Sequence, residues 1–250
     1  MPMSKPRLIL GVKSRSWRKD YEASERAFQE IRPRVLERDR HVCRFCGFHS
    51  LKWQQVHHLD DDHTNNDMTN LVTICSYCHM NFHIGRAGQD GAMLAFVPEV
   101  SAESISHLWR AIGVAMVYPS FLKARAERGR ALGTVQLQQA MAMFDAAKAA
   151  LDFFQERVRR LEVLLGTSSP ILLGEALLAA SRVDSDFYDR REEWLYGIRL
   201  LPPGPEHDFG GKEMYQFFLS SEGPFGDSLS PSAWSAVMRS LEGVRSGGSV

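Results

Sequence analysis

A mostly α-helical α+β fold with one small cysteine-bound module near the N-terminus is predicted by three features of this sequence. Two CxxC pairs, CRFC at Cys43–Cys46 and CSYC at Cys75–Cys78, are separated by 28 residues. Short strands are expected within residues 42–59, and LVTIC reads as another. Beyond residue 100 the apolar positions recur at three- and four-residue spacing over long stretches.

The elements follow in order. From Tyr21 to Asp39 the residues Ala27, Phe28, Ile31, Val35 and Leu36 repeat at helical spacing, and Pro33 is expected to kink this helix or divide it in two. Residues 42–59 read as a knuckle followed by short strands, and DDDHTNNDMTN as a polar loop. LVTIC returns as a strand, and SYCHMNFHIG starts a helix that Gly85 can close. Ser101, with Glu103 near the positive end of the helix dipole, caps a helix toward Met116. The longest predicted helix carries Leu137, Met141, Phe144, Ala147, Leu151, Phe154, Val158, Leu161 and Leu165 as its stripe, either a core face or a docking face. Further helices are expected near 171–182, 185–198 and 230–244, broken by LPPGP and SEGPFGD, and the tail SGGSV is expected to be disordered. The linear reading is a basic helical segment (1–40), a metal module (41–86), a helical body (87–205) and a C-terminal extension (206–250).

Composition and charge exclude several classes. At 44% hydrophobic the chain can bury a core. Thirty basic and thirty acidic side chains cancel, so the whole molecule exerts no long-range pull on nucleic acid or membrane. The balance is local: residues 1–50 carry 12 Lys and Arg against 6 Asp and Glu, a surplus of six. Arg38, Arg40 and Arg44, with Arg32 and Arg34, either line a phosphate groove or pair with Glu30, Glu37 and Asp39 on a solvated helix. No apolar run approaches the ~20 residues of a membrane span, and the start has no signal-like apolar stretch, so a cytoplasmic location is expected.

All four cysteines fall in the two pairs. Each pair presents two sulfurs from a tight turn, and the two turns can close one tetrahedron around Zn2+. Four thiolates leave no position for water, so this ion is structural. Interleaved with the cysteines are His57 and His58 on a strand, pointing to opposite sides, Asn70 in the loop, and His79 and His83, four apart on one predicted helix face. Asp60, Asp61 and Asp62 are either cation ligands or a solvated turn. His41, His49, His63, His107 and His207 have no evident partner in the sequence.

The segments RPRVLERDRHVCRFCGF, VHHL and TNLVTICSYCHMNFH resemble the ββα-metal core of HNH endonucleases with a four-cysteine zinc, a treble-clef arrangement. That resemblance implies His58 as general base, Asn70 as the residue that positions strand and base, and His57, His79 and His83 as ligands of a second, catalytic divalent ion (Mg2+, Mn2+, Ni2+ or Zn2+), with DNA as substrate. A broader resemblance covers residues 8–205: an Arg-rich helix, CRFCGF, NNDMTNLVTICSYC, AMLAFVPEVS, a helical body and IRLLP are similar to the IcmJ/DotN proteins of type IVB secretion systems. It implies a zinc-binding accessory subunit of the coupling complex that binds the C-terminal region of the coupling ATPase alongside adaptor proteins, peripheral to the inner membrane, with an HNH-like fold. Aromatic anchors for such a contact are sought among Trp109, Phe153, Phe154, Trp194 and Tyr196, some of which must belong to the core.

Overall fold

The computed structural model describes residues 6–12, 21–204 and 211–225. The helix expected at 230–244 and the tail SGGSV lie outside them. Among the described residues, no single helix is long and apolar enough to cross a membrane. The chain is mixed helix and strand, helical for the most part, and divides into two compact units that are each discontinuous in sequence. The first takes the described residues up to Gln89 and then Ser169–Tyr196; the second takes Asp90–Ser168 and those from Gly197 onward.

In the first unit, α1 (Tyr21–Arg38) lies on a hairpin of β1 (Gln54–His58) and β2 (Leu71–Cys75). The strands pair antiparallel from Gln54↔Cys75 to His58↔Leu71. Pro33 does not divide α1, which runs through it as one element. Phe28 and Ile31 before the proline and Val35 and Leu36 after it all pack on the same surface, formed by Val56 and Leu71. That shared burial outweighs the one hydrogen bond that proline removes.

The helix expected over SYCHMNFHIG is two helices, α2 (Ser76–Met80) and α3 (Ile84–Gln89), and Gly85 sits inside the second rather than closing the first. Asn81 explains the break. Its buried side chain donates from Nδ2 to the Tyr77 carbonyl at 3.1 Å, and its own carbonyl accepts from the Gly11 amide at 2.8 Å. Side-chain and strand-like backbone bonds thus replace the next turn of helix. α3 then packs on α6 (Pro170–Val183), where a Cβ at Gly88 would come within 2.8 Å of Ile171 Cγ1. The single helix expected from Ser185 is two short ones, α7 (Ser185–Asp189) and α8 (Arg191–Trp194). Arg191 is turned inward to the segment 10–12, donating from Nε to the Leu10 carbonyl at 2.9 Å and lying over the Tyr188 ring.

The second unit is built on two long helices, α4 (Ala102–Glu127) and α5 (Thr134–Leu165), which pack on one another. Ser101 caps α4 as expected, its hydroxyl accepting from the Ser104 amide at 3.1 Å, but the helix continues eleven residues past Met116, through Pro119. The buried line of α5 is Ala140, Met143, Ala147, Ala150, Phe154, Val158 and Leu161, whereas Met141 and Leu165 of the predicted stripe are exposed. AMLAF forms β3 (Met93–Phe96) and IRLL forms β4 (Ile198–Leu201), paired antiparallel from Met93↔Leu201 to Phe96↔Ile198. Ile198 therefore begins a strand instead of ending a helix. Gly197, at φ +78°, makes the turn into β4; a Cβ there would meet the Phe96 ring at 2.6 Å. A ninth helix, α9 (Gly211–Leu219), which the pattern of apolar residues did not announce, lays Tyr215 against Gly113 of α4.

Candidate metal centre

The four cysteines come together through the backbone of the first unit. Residues 42–49 form a tight turn: Val42 bridges His49, the Cys43 amide donates to Phe48 O at 2.9 Å, and the Gly47 amide returns to Cys43 O at 2.8 Å. Gly47 adopts φ +80°, a left-handed conformation that favours glycine. The second pair spans the end of β2 and α2, with Cys75 as the last strand residue and Cys78 one turn later.

Three polar groups tie the two turns together. The Arg44 amide donates to the Thr73 carbonyl of β2 at 2.8 Å. Asp39 Oδ2 accepts from the Thr73 amide at 2.8 Å and is paired with Arg38. Buried Gln54 donates from Nε2 to both His41 O (3.0 Å) and Phe48 O (2.9 Å), fastening the knuckle to β1. Neither Gln54 nor Asp39 was legible as a brace, because their residue types are common on any surface and only the fold brings Thr73, His41 and Phe48 to them.

The result is a cluster in which the Sγ atoms of Cys43, Cys46, Cys75 and Cys78 all lie within 4.8 Å of one another, with Cys46 and Cys75 at 3.7 Å. Zn–S bonds of about 2.3 Å in a tetrahedron require S···S edges of about 3.8 Å, so the donor set fits zinc in both geometry and softness. Cys43, Cys75 and Cys78 are buried and Cys46 is half-buried. Without a cation, four touching sulfurs cannot all ionise. The thiol of Cys43 is raised by its hydrogen bond with Cys46 but lowered more by those with Cys75 and Cys78, to about 7. Cys78 is pushed far up by its hydrogen bonds with Cys43, Cys46 and Cys75 and by burial. A dication relieves that conflict by holding all four as thiolates.

The histidines separate as the strand geometry requires. His57 stacks on Phe82 with ring centroids 4.3 Å apart and approaches His79 at 5.3 Å, while His58 faces away toward Phe28 and His63. His58 is buried, and its Nε2 lies 3.1 Å from Oδ1 of Asn66, whose Nδ2 donates to Ser24 O. That orientation of the amide leaves Oδ1 as the acceptor, so Nε2 of His58 carries a proton. His79 is on α2 but His83 lies in the turn before α3, so a common helix face does not hold them. The turn nevertheless brings their Nε2 atoms to 3.1 Å, with Nδ1 of His79 2.6 Å from Gln55 Oε1. Among the described residues, the four cysteines are the group of metal-ligating side chains that gathers within 4.8 Å, and no trio of histidines does.

Asn70 closes the loop between the strands. Its Nδ2 donates to Asp60 Oδ1 (2.8 Å) and Asn65 O (2.9 Å), and its Oδ1 accepts from the Asp60 amide at 3.1 Å. Asp60 and Asp62 cap successive turns of the same loop. Of the three arginines considered for nucleic acid, Arg38 is engaged within the fold, donating to Met68 O and Leu71 O as well as Asp39. Arg40 is exposed just beyond α1, and Arg44 is half-buried within the knuckle.

Burial alone would raise the Asp39 carboxyl, but hydrogen bonds from Arg38 and the Thr73 amide, together with the Arg38 charge, outweigh it and hold Asp39 below the usual carboxylate value. A folded pKa below the unfolded one, about 3.9, stabilises the protein above that pH, and the contribution disappears as pH falls through the lowered folded value. Asp39→Asn is therefore expected to cost about 1–3 kcal/mol at pH 7, with the difference from wild type shrinking toward pH 3 in urea unfolding.

Fold and site together define a helix-rich protein in which a small strand–helix module carries a cluster of four cysteines that could hold a metal ion. A search against protein-family models found no match. The chain is 29% identical over 192 residues to the type 4 apparatus protein DotN of Legionella pneumophila, which covers 75% of this chain and 79% of that protein.

Proposed function

We propose that this protein is a zinc-binding accessory subunit of a type IVB secretion or related conjugation apparatus, and that it docks on the coupling ATPase at its C-terminal region. The observation that carries this reading is the extent of the similarity to DotN. It runs over 192 residues, whereas the segment from Cys43 to Cys78 occupies 36, so the likeness extends well beyond that module. The order of knuckle, antiparallel hairpin and short helix around the four sulfurs supports an HNH-like, treble-clef description of that module. Zinc there holds the knuckle to the hairpin and performs no chemistry, because four sulfur donors fill its shell. The working location is the cytoplasmic face of the inner membrane, reached through the partner.

Hydrolysis of DNA is not favoured. His58 Nε2 is occupied by Asn66, Arg38 is spent on the backbone of residues 68–71, and the histidines do not assemble a second three-ligand centre among the described residues. Of the five aromatic residues considered as anchors, Trp109 and Phe154 are core, packed edge to face at 5.1 Å. Trp194 and Tyr196 remain exposed at 39% and 70%, and Trp194 stacks on Phe187.

Affinity capture of the chain from its native host is expected to recover the coupling ATPase, with recovery retained in His58→Ala and reduced at least tenfold in a Trp194→Ala, Tyr196→Ala variant, the loss of about 1.4 kcal/mol or more that such anchors commonly carry. Failure to recover any secretion-system component, with partition onto DNA instead, would overturn the assignment.

A further inference from the structure

The exposed aromatic surface of the first unit has a chemistry of its own. The rings of Phe187 on α7 and Trp194 on α8 stack with centroids 4.9 Å apart and planes 16° from parallel. The Trp194 indole N–H donates to the Phe187 carbonyl at 3.3 Å, so the pair is held as one rigid platform. Yet Phe187 and Trp194 are 41% and 39% exposed, and Tyr196, two residues after Trp194 in the chain, is 70% exposed. A stacked pair left open to water loses the burial that ordinarily accompanies large aromatic side chains, and such surfaces mark binding sites.

The charges around the platform are predominantly acidic. From Asp184 to Tyr196 there are five acids, Asp184, Asp186, Asp189, Glu192 and Glu193, against Arg190 and Arg191, a net of −3. Asp184 caps α7, and Glu192 is paired with Arg7. Arg191 is turned inward beneath Tyr188 and onto the Leu10 carbonyl. Asp186, Asp189 and Glu193 form no ion pair among the described residues, and they flank the stacked rings in sequence, with Asp186 next to Phe187 and Glu193 next to Trp194. An aromatic face attracts a cation through its quadrupole, and neighbouring carboxylates add to that field. An anionic polymer or an acidic bilayer would be repelled.

We propose that the Phe187–Trp194–Tyr196 surface is the docking site for a basic peptide segment of a partner protein, whose Lys or Arg side chains lie over the stacked rings and against Asp186, Asp189 and Glu193 while its apolar residues cover the ring edges. This names the chemistry of the partner contact in the docking role proposed above, on which its cellular meaning rests. The occupant is a protein segment because the platform offers both a large apolar area and a cation-attracting rim, a combination that a free polyamine or a metal ion would use only in part.

The test is a calorimetric titration of the full chain with three synthetic 20-residue peptides: one of Lys and Leu with the Leu at helical three- and four-residue spacing, one with every Lys replaced by Glu, and one with every Leu replaced by Ser. The Lys/Leu peptide is expected to bind, the Glu/Leu peptide not to bind, and the Lys/Ser peptide to bind roughly tenfold or more weakly. Trp194→Ala is expected to weaken the Lys/Leu complex about tenfold. An Asp186→Asn, Asp189→Asn, Glu193→Gln variant should weaken it comparably and flatten its dependence on salt between about 0.05 and 0.3 M. These variants alter exposed side chains, so unchanged thermal unfolding is the accompanying control. Equal binding of the Lys and Glu peptides, binding indifferent to all four substitutions, tighter binding to a double-stranded DNA oligomer displaced by none of the peptides, or concentration-dependent self-association that Trp194→Ala abolishes would each overturn the proposal. Because the titration uses purified components, its failure is distinguishable from failure to recover the coupling ATPase from the host.

Discussion

Replacing Cys43 and Cys46 together with alanine is expected to remove the metal and unfold the module that carries it. Wild-type protein purified from zinc-replete medium should contain one zinc per chain by metal analysis, and the double variant none. The size of the effect follows from comparing two magnitudes. Structural zinc in small modules supplies apparent binding energies of about 10–16 kcal/mol, while a whole domain is stable by about 5–15 kcal/mol. The module cannot absorb such a loss, since the cluster joining α1 to the hairpin is only Val35, Leu36, Val56 and Leu71 with Phe28, Ile31 and Met68 at the margin. Two alanines would also leave Cys75 and Cys78 in a buried pocket shaped for four sulfurs. Circular dichroism should keep the signal of the long α4 and α5 helices, while amide protection in β1 and β2 disappears. Full occupancy by zinc in the double variant, or unchanged protection of the hairpin, would refute the metal assignment.

Gly113→Val should detach α9 from α4. The Cβ of any larger residue at 113 would stand 2.3 Å from Cε1 and Cζ of Tyr215 and 2.4 Å from its hydroxyl oxygen, well inside contact distance. Both partners are constrained, since Gly113 is in the middle of a 26-residue helix and Tyr215 is almost wholly buried. Overpacking of this kind costs about 1–3 kcal/mol or more when neighbours cannot move, and the ring has nowhere to go without undocking its helix. Thermal unfolding should shift downward and cleavage by a nonspecific protease should increase within 211–225. Tyr215→Ala destabilises by itself, through the cavity it leaves, but the double variant Gly113→Val, Tyr215→Ala should be more stable than the sum of the two losses, because the valine fills space that the ring vacated. Strict additivity would show that the two residues do not meet.

Much of both units was readable without coordinates. Hydrophobic spacing located α1 and α5, the Ser101 cap located the start of α4, and the paired cysteines located the thiol cluster, because each is a local pattern whose residues need no distant partner to be recognised. His57 and His58 were placed on opposite faces for the same reason: alternation along a strand is a property of the backbone. The elements that were misread share the opposite property. The break after Met80 depends on Asn81 meeting the Gly11 amide, seventy residues away in the chain. The strand at Ile198 depends on Met93–Phe96, and α9 depends on a groove at Gly113. The stripe of α5 was read only in part: Ala147, Phe154, Val158 and Leu161 are buried as expected, but Ala140, Met143 and Ala150 join them while Met141 and Leu165 face outward.

The sequence by itself determined that four cysteines would meet in one cluster, whose soft donors suit zinc, and that the rest of the chain would be mainly helical. Tertiary structure alone decided which polar residues brace that centre, which histidines are spent on internal hydrogen bonds, and which aromatics stay outside. Trp109 and Trp194 are the same residue type, both on helices. Trp109 is buried against Phe154 of a long neighbouring helix, whereas Trp194, at the end of the four-residue α8, stacks on Phe187 and still stays 39% exposed. Burial is a property of what arrives from elsewhere in the chain, and that information is carried by the packing rather than by any window of residues.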